Sequence, residues 1–190
     1  MPKIYPIGGG KGGVGKSFVA ASLGALIARH GRTVALIDLD LGASNLHTFL
    51  GMSAPRDGLN RFLNKHAPTL EATAAPTPVA NLFLISSSTC SMEIANLFYA
   101  QKIKLIHAIK RLPFDYVLID LGAGTNFNTL DFFLTSSSGI FVCTPEPTSI
   151  ENAFRFIKAV YLRRIKQLIK RYDFDAQAKA AVLVAASNAL

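Results

Sequence analysis

Nine consecutive residues near the start of the chain, Gly9-Gly10-Lys11-Gly12-Gly13-Val14-Gly15-Lys16-Ser17, are of the types that can hold a phosphate chain. From Gly10 to Ser17 they satisfy G-x-x-x-x-G-K-[ST], placed between a predicted strand and a predicted helix. The glycines let backbone amides turn inward around phosphate oxygens, and the helix N-terminus adds donors and a favourable dipole. Lys16 is expected to reach the β and γ phosphates, and Ser17 to hold Mg²⁺ through its hydroxyl. Gly10, Lys11, Gly12, Gly13, Val14 and Gly15 complete the cradle, with Phe18 next in line. Lys11 places a second ammonium in the loop, which repels Lys16 unless polyphosphate is present. Two readings stand for it: a solvated loop lysine, or a phosphate contact, including one to phosphate held by another subunit.

Three carboxylates answer this cradle. Asp38 and Asp40 end the second predicted strand and are followed by Leu41-Gly42-Ala43-Ser44-Asn45-Leu46. Asp38 is assigned to fixing water on Mg²⁺ and Asp40 to positioning the attacking water. Asp120 follows the apolar run Tyr116-Val117-Leu118-Ile119, the strand-plus-aspartate pattern that completes a magnesium site through ordered water. Gly122, Ala123 and Gly124, with Thr125, form the natural second switch, since such a segment can move when a γ-phosphate appears. Pro145 and Glu146 lie in a proline-stiffened segment that either lines a base pocket or forms a rigid loop and helix cap. Asn188 is a further candidate for the base.

These residues must be positioned by alternating strands and helices. Strands are predicted at 3–7, 33–37, 82–85, 114–119, 140–142 and 180–186, and helices at 17–29, 57–64, 92–111, 126–134 and 149–171. Loops are expected from Asp38 to His47, and an irregular connection from Pro68 to Pro78. Near-continuous Val, Ile and Leu in the strands argue for a three-layer α/β/α fold with a mostly parallel sheet, whose ligands bind beyond the carboxyl ends of the strands. Residues 1–190 read as a single domain that stops directly after its last predicted strand, so the natural gene product is expected to be longer.

A hydrophobic content of 50% with 17% charged residues excludes disorder, and every apolar stretch is interrupted before the roughly 18 residues a membrane span needs. Met1-Pro2-Lys3 leads straight into a strand without a leader pattern, which reads as cytoplasmic protein. Cys90 and Cys143 read as two free thiols. The net charge of +8 is concentrated from Phe154 to Tyr172, where seven basic residues meet no acidic one. That run suits DNA contacted through its phosphates, an anionic membrane surface, an acidic protein partner, or no more than a solvated helix face. Phe154, Ile157, Tyr161, Ile165 and Leu168 recur at three- and four-residue intervals and are expected to turn toward the sheet.

The loop from Lys11 to Ser17, the Asp38-Leu39-Asp40 switch and Asp120 leading into Gly122-Ala123-Gly124 resemble the MinD/ParA group of deviant Walker A P-loop ATPases. The stretch Asp38 to Leu46 looks most like MinD and the FlhG-like flagellar-number regulators, and Pro145 to Ala153 looks FlhG-like too. The resemblance implies a homodimer formed around two ATP molecules, with Lys11 crossing to the partner's phosphate, Asp40 positioning water and Asn45 at the interface. It also implies slow, Mg²⁺-dependent hydrolysis that dissolves the dimer, and an activating or regulated protein partner in division-site, flagellar-number or partition control. The amphipathic membrane helix usual in such relatives is not visible before Leu190, and the first strand begins at Lys3, where FlhG-like relatives often carry an extension. With such a helix, the full-length protein would sit peripherally at the inner face of the membrane. Two other classes use the same loop: a small-molecule kinase or ligase, and a metal-cofactor delivery ATPase, for which the cysteine spacing is poor.

Overall fold

Strand β2 (Val34–Leu39) is buried along its whole length, and β5 (Tyr116–Leu121) along all but its first residue. Strands buried on both faces belong at the centre of a parallel sheet. In the computed structural model, which describes residues 1–40, 44–87 and 98–172, these two strands pair in parallel there. Strand β1 (Lys3–Gly8) flanks β5, and β4 (Leu82–Ile85) flanks β2. The order is β3-β4-β2-β5-β1-β6, with β6 (Ile140–Phe141) parallel at one edge and β3 (Ala75–Pro76) antiparallel at the other.

Period-two alternation divides the core between the two faces. Ala35, Ile37, Val117 and Ile119 join one cluster, with Leu105 and Ile109 of α4 (Tyr99–Lys110) and Phe132 of α5 (Phe127–Phe133). Val34, Leu36 and Leu118 join the other, with Ala20, Ala21 and Ala28 of α1 (Lys16–Arg29) and Leu46 of α2 (Leu46–Phe49). Helices α3 (Leu59–Leu63) and α6 (Pro147–Arg171) complete the described layers. The three-layer α/β/α fold with a mostly parallel sheet therefore stands.

Several expectations need correction. The connection from Pro68 to Pro78 contains a 3-10 turn at Glu71–Thr73 and the edge strand β3, because Pro76 is tolerated where one strand side has no neighbour. The stretch from Asp38 to His47 is not all loop, since α2 opens at Leu46. Helix α6 starts at Pro147, not Ser149, because proline lacks only an N–H that the first turn leaves unused. The predicted strand 180–186, Asn188, Cys90 and residues 92–97 of the third predicted helix lie outside the described residues.

The largest correction concerns α6. Phe154 and Tyr161 are 69% and 70% exposed, and Ile157, Ile165 and Leu168 are exposed as well, so the stripe faces away from the described sheet. Two interactions turn the helix. Phe156, fully buried, meets the rings of Phe133 and Phe141 at 5.1 Å each. About two and three turns on, Arg163 and Gln167 reach Asp131 of α5, at 2.7 Å and 3.1 Å to its Oδ1. The adjoining edge strand has only two residues, so among the described residues little apolar surface competes for the stripe.

Candidate functional site

The loop after β1 is held from three sides. Val14 is buried, and the N–H of Gly124 donates to the carbonyl of Gly9 at 3.4 Å, tying the second switch segment to the cradle. Gly10 lies against α6: a Cβ there would stand 2.3 Å from the carbonyl oxygen of Asn152. Gly15 ends the loop at φ 93°, a left-handed conformation that glycine adopts without strain, and α1 begins at the next residue. Cβ atoms on Gly12, Gly13 or Gly15 would meet nothing within 4 Å, so that side of the loop faces open space.

Lys16 is 7% exposed, and its Nζ donates to the carbonyl of Lys11 at 3.4 Å. Lys11 points elsewhere, donating to Glu146 Oε2 at 3.0 Å and Thr148 Oγ1 at 3.3 Å. Both partners of the Lys11–Glu146 pair are well exposed, and such pairs contribute only about 0–1 kcal/mol. A polyphosphate can therefore take Lys11 from Glu146 at small cost.

Register brings the carboxylates together. Asp38 and Asp120 are direct partners on β2 and β5, and Asp120 is also the partner of Ile7, two residues before the loop. Both side chains are buried. Asp38 accepts from Ser44 Oγ at 2.7 Å, the Leu46 N–H at 3.1 Å and the Asp40 N–H at 3.1 Å, which clamps the chain on either side of residues 41–43. Burial raises its pKa above the usual carboxylate range, against these hydrogen bonds. Burial pushes Asp120 up to about 7, opposed by the Ser17 hydroxyl and Lys16 and reinforced by Asp38 and Asp40. Asp120 Oδ1 is buried without a hydrogen-bond partner among the described residues.

That oxygen tests the fit of a magnesium ion. Among the described residues no cluster of three or more His, Cys, Asp or Glu could hold a metal alone. Mg²⁺ bound with a nucleotide does not need one: it takes oxygen from phosphate, water and one or two protein groups. A buried carboxylate oxygen without a partner, beside Ser17 and Lys16, is consistent with that arrangement.

A raised carboxyl keeps its proton in the folded state where the unfolded chain has lost it, so its stabilisation is complete below the unfolded pKa and lost as pH rises through about 7. The nucleotide-free protein should thus melt at lower temperature as pH rises from about 5 to about 8, and Asp120→Asn should flatten that dependence. Melting curves of the two proteins across this range check the expectation; parallel slopes would refute it.

The remaining predicted residues fall around this centre. Gly122 abuts Asp40: a Cβ there would lie 3.2 Å from Asp40 Oδ1, so the two switches touch. Ala123 is exposed, and Gly124 takes φ 93°. Asn45 is exposed at the start of α2, and its side chain makes no capping hydrogen bond. Phe18 is 61% exposed, so it can serve the cradle through its backbone N–H in the first turn of α1. Glu146 is the N-cap residue of α6 and holds Lys11, and Pro145 beside it is exposed. Residues 41–43 of the first switch lie outside the described residues. Thr148 and Asn152 fell within the Pro145 to Ala153 stretch but were given no contact with the loop; the signal was the polar run directly after Pro145-Glu146-Pro147, which closes on the loop only through the β1–β6 pairing.

Residues 6–183 match the family model described as the CobQ/CobB/MinD/ParA nucleotide binding domain. The chain belongs to this family. It is 29% identical over 164 residues to the septum site-determining protein MinD of Helicobacter pylori, covering 83% of this chain and 58% of the relative. The antiactivator FleN of Pseudomonas aeruginosa is 30% identical over 158 residues, covering 82% of this chain and 55% of that protein. Among solved structures, MinD from Pyrococcus horikoshii complexed with Mg-ADP superposes with a TM-score of 0.67 at 25% identity, over 90% of this chain and 66% of that one. The chain thus spans somewhat over half the length of these two curated relatives. No described helix is long and apolar enough to cross a membrane.

Proposed function

We propose that this MinD/ParA-family chain is the nucleotide-switch core of an ATPase. It would bind ATP with Mg²⁺ at Gly10 to Ser17, pair with a second copy and hydrolyse ATP slowly to ADP and phosphate. The observation that carries this reading is the buried pair Asp38 and Asp120, in register beside buried Lys16, with one Asp120 oxygen left without a partner among the described residues. Family membership and the Mg-ADP bound to the Pyrococcus relative support it. The name of FleN, an antiactivator, supports a protein partner, and that of MinD, a septum site-determining protein, supports a role at the division site.

On this reading Lys16 holds the β and γ phosphates, while Ser17, Asp38 and Asp120 would hold magnesium, directly or through water. Magnesium would supply neutralisation of phosphate charge. Asp40 positions the attacking water, and its contact with Gly122 passes the loss of the γ-phosphate to the second switch. Lys11 leaves Glu146 and Thr148 for the partner's phosphate, with Asn45 at the interface. Pro145 and Glu146 border the base.

Solution mass with Mg²⁺ and ATP, beside ADP, tests the switch. A dimer is expected with ATP only, and Lys11→Ala should remain monomeric in both. A monomer in every state, with turnover stimulated by a small acceptor, would replace the switch with a kinase or ligase.

A further inference from the structure

A groove of about 590 Å³ runs between α4 and α6 beside the end of α5. Six lining side chains are cationic, Lys102, Lys110, Arg163, Arg164, Lys166 and Lys170, against one carboxylate, Asp131. Asp131 is already engaged. It is buried and takes hydrogen bonds from Lys102, Arg163 and Gln167, and those from Arg163 and Lys102 hold its carboxyl below the usual range despite its burial. Lys110, Arg164, Lys166 and Lys170 form no ion pair with any described residue, so their charge is available to a ligand.

The groove is also apolar. Ile103, Ile106, Leu134 and Leu168 stand among the cations. A second cavity of about 500 Å³ shares Lys110, Leu134, Thr135 and Arg164 with the first and carries the same mixture on to Tyr161. On α4, Lys102 and Lys110 are eight residues apart, about 12 Å of helix, and Arg163 and Lys170 on α6 span about 10 Å. Two facing rows of that length match about two turns of a partner helix, whose diameter is about 10–12 Å.

We infer that this groove docks a protein segment in which acidic residues alternate with apolar ones, the carboxylates meeting Lys110, Arg164, Lys166 and Lys170 and the apolar side chains covering Ile103, Ile106 and Leu134. Charge complementarity selects an acidic occupant, and recessed apolar residues select a peptide over other anions. A nucleic-acid backbone gains nothing from Ile106 or Leu134, since phosphate contacts are electrostatic. A lipid surface would also reach the exposed Lys110, Arg164, Lys166 and Lys170, but would leave the half-buried Ile103, Ile106 and Leu134 uncovered. The groove lies outside the phosphate cradle, so its occupancy is separate from the nucleotide reading.

The probe is a fluorescent helical peptide with glutamates and leucines at i, i+4 spacing, titrated by anisotropy at moderate salt. Saturable binding is expected, weakened at least about tenfold by Lys166→Glu/Lys170→Glu and similarly by replacing the peptide's leucines with serine at unchanged charge. Bound peptide should also protect Lys110, Lys166 and Lys170, but not Lys3, from acetylation read by mass spectrometry. Binding that ignores the leucines would overturn the inference, as would tighter binding of a DNA duplex or of phosphatidylcholine–phosphatidylglycerol vesicles through the same lysines. Absence of saturable peptide binding would overturn it too. Both lysines are exposed, so the charge reversals leave the fold intact, and an unchanged melting temperature confirms this.

Discussion

Lys16→Met should lose ATP binding and reduce hydrolysis by at least about a hundredfold while the protein stays folded. Lys16 is buried at the opening of α1, among the described residues its ammonium hydrogen-bonds only a main-chain carbonyl, at 3.4 Å, and Asp120 lies close enough to shift with its charge. An ammonium buried with such incomplete satisfaction is suited to a further anion, and methionine keeps the stem while removing the charge. The loss should appear as a rise in Kd for a fluorescent ATP analogue by titration, with little change in melting temperature. A variant that retained the affinity of the parent would separate Lys16 from the phosphates and remove the basis of the switch reading.

A comparably large effect is expected at Gly10, although its side chain is a single hydrogen. In Gly10→Ala the new methyl would stand 2.3 Å from the Asn152 carbonyl oxygen, and both the loop and α6 are backbone at that point, so neither yields as a flexible side chain would. Relief needs a displacement of about 1 Å, and misplacement of that size at a reacting centre costs about a hundredfold in rate. Overpacking adds about 1–3 kcal/mol of instability. Gly12→Ala is the control: a Cβ there meets nothing within 4 Å, so its effect on stability should be small. Urea unfolding and nucleotide titration of both variants check the contrast. Equal stability in the two would mean that the loop does not lean on α6 in solution.

Local pattern made much of this site legible. The phosphate loop is contiguous, and its glycines, lysine and serine act at fixed offsets from one strand end and one helix start, so their spacing carries the chemistry. Asp38 and Asp120 were legible for a related reason: each ends an apolar run, and parallel strands of similar length deliver their last residues to the same edge. The alternation of strand and helix likewise announced the layered sheet.

Contacts between distant segments were not legible. Nothing in the order of residues says that Lys11 rests on Glu146 and Thr148, or that Gly10 touches Asn152, since both depend on β6 pairing beside β1 and carrying α6 over the loop. The outward stripe of α6 shows the limit most clearly. Apolar periodicity identified a helix and one of its faces, but which face turns inward depends on what lies beneath, and here Phe156 and the hold of Asp131 on Arg163 and Gln167 settle it. The sequence by itself determined the identity of the phosphate loop, the acids at the strand ends and the class of fold, because each is written in neighbouring residues. Only the tertiary structure decided which side chains restrain Lys11, which face of α6 is open and where its cations meet those of α4, because these are long-range packing outcomes that no local spacing encodes.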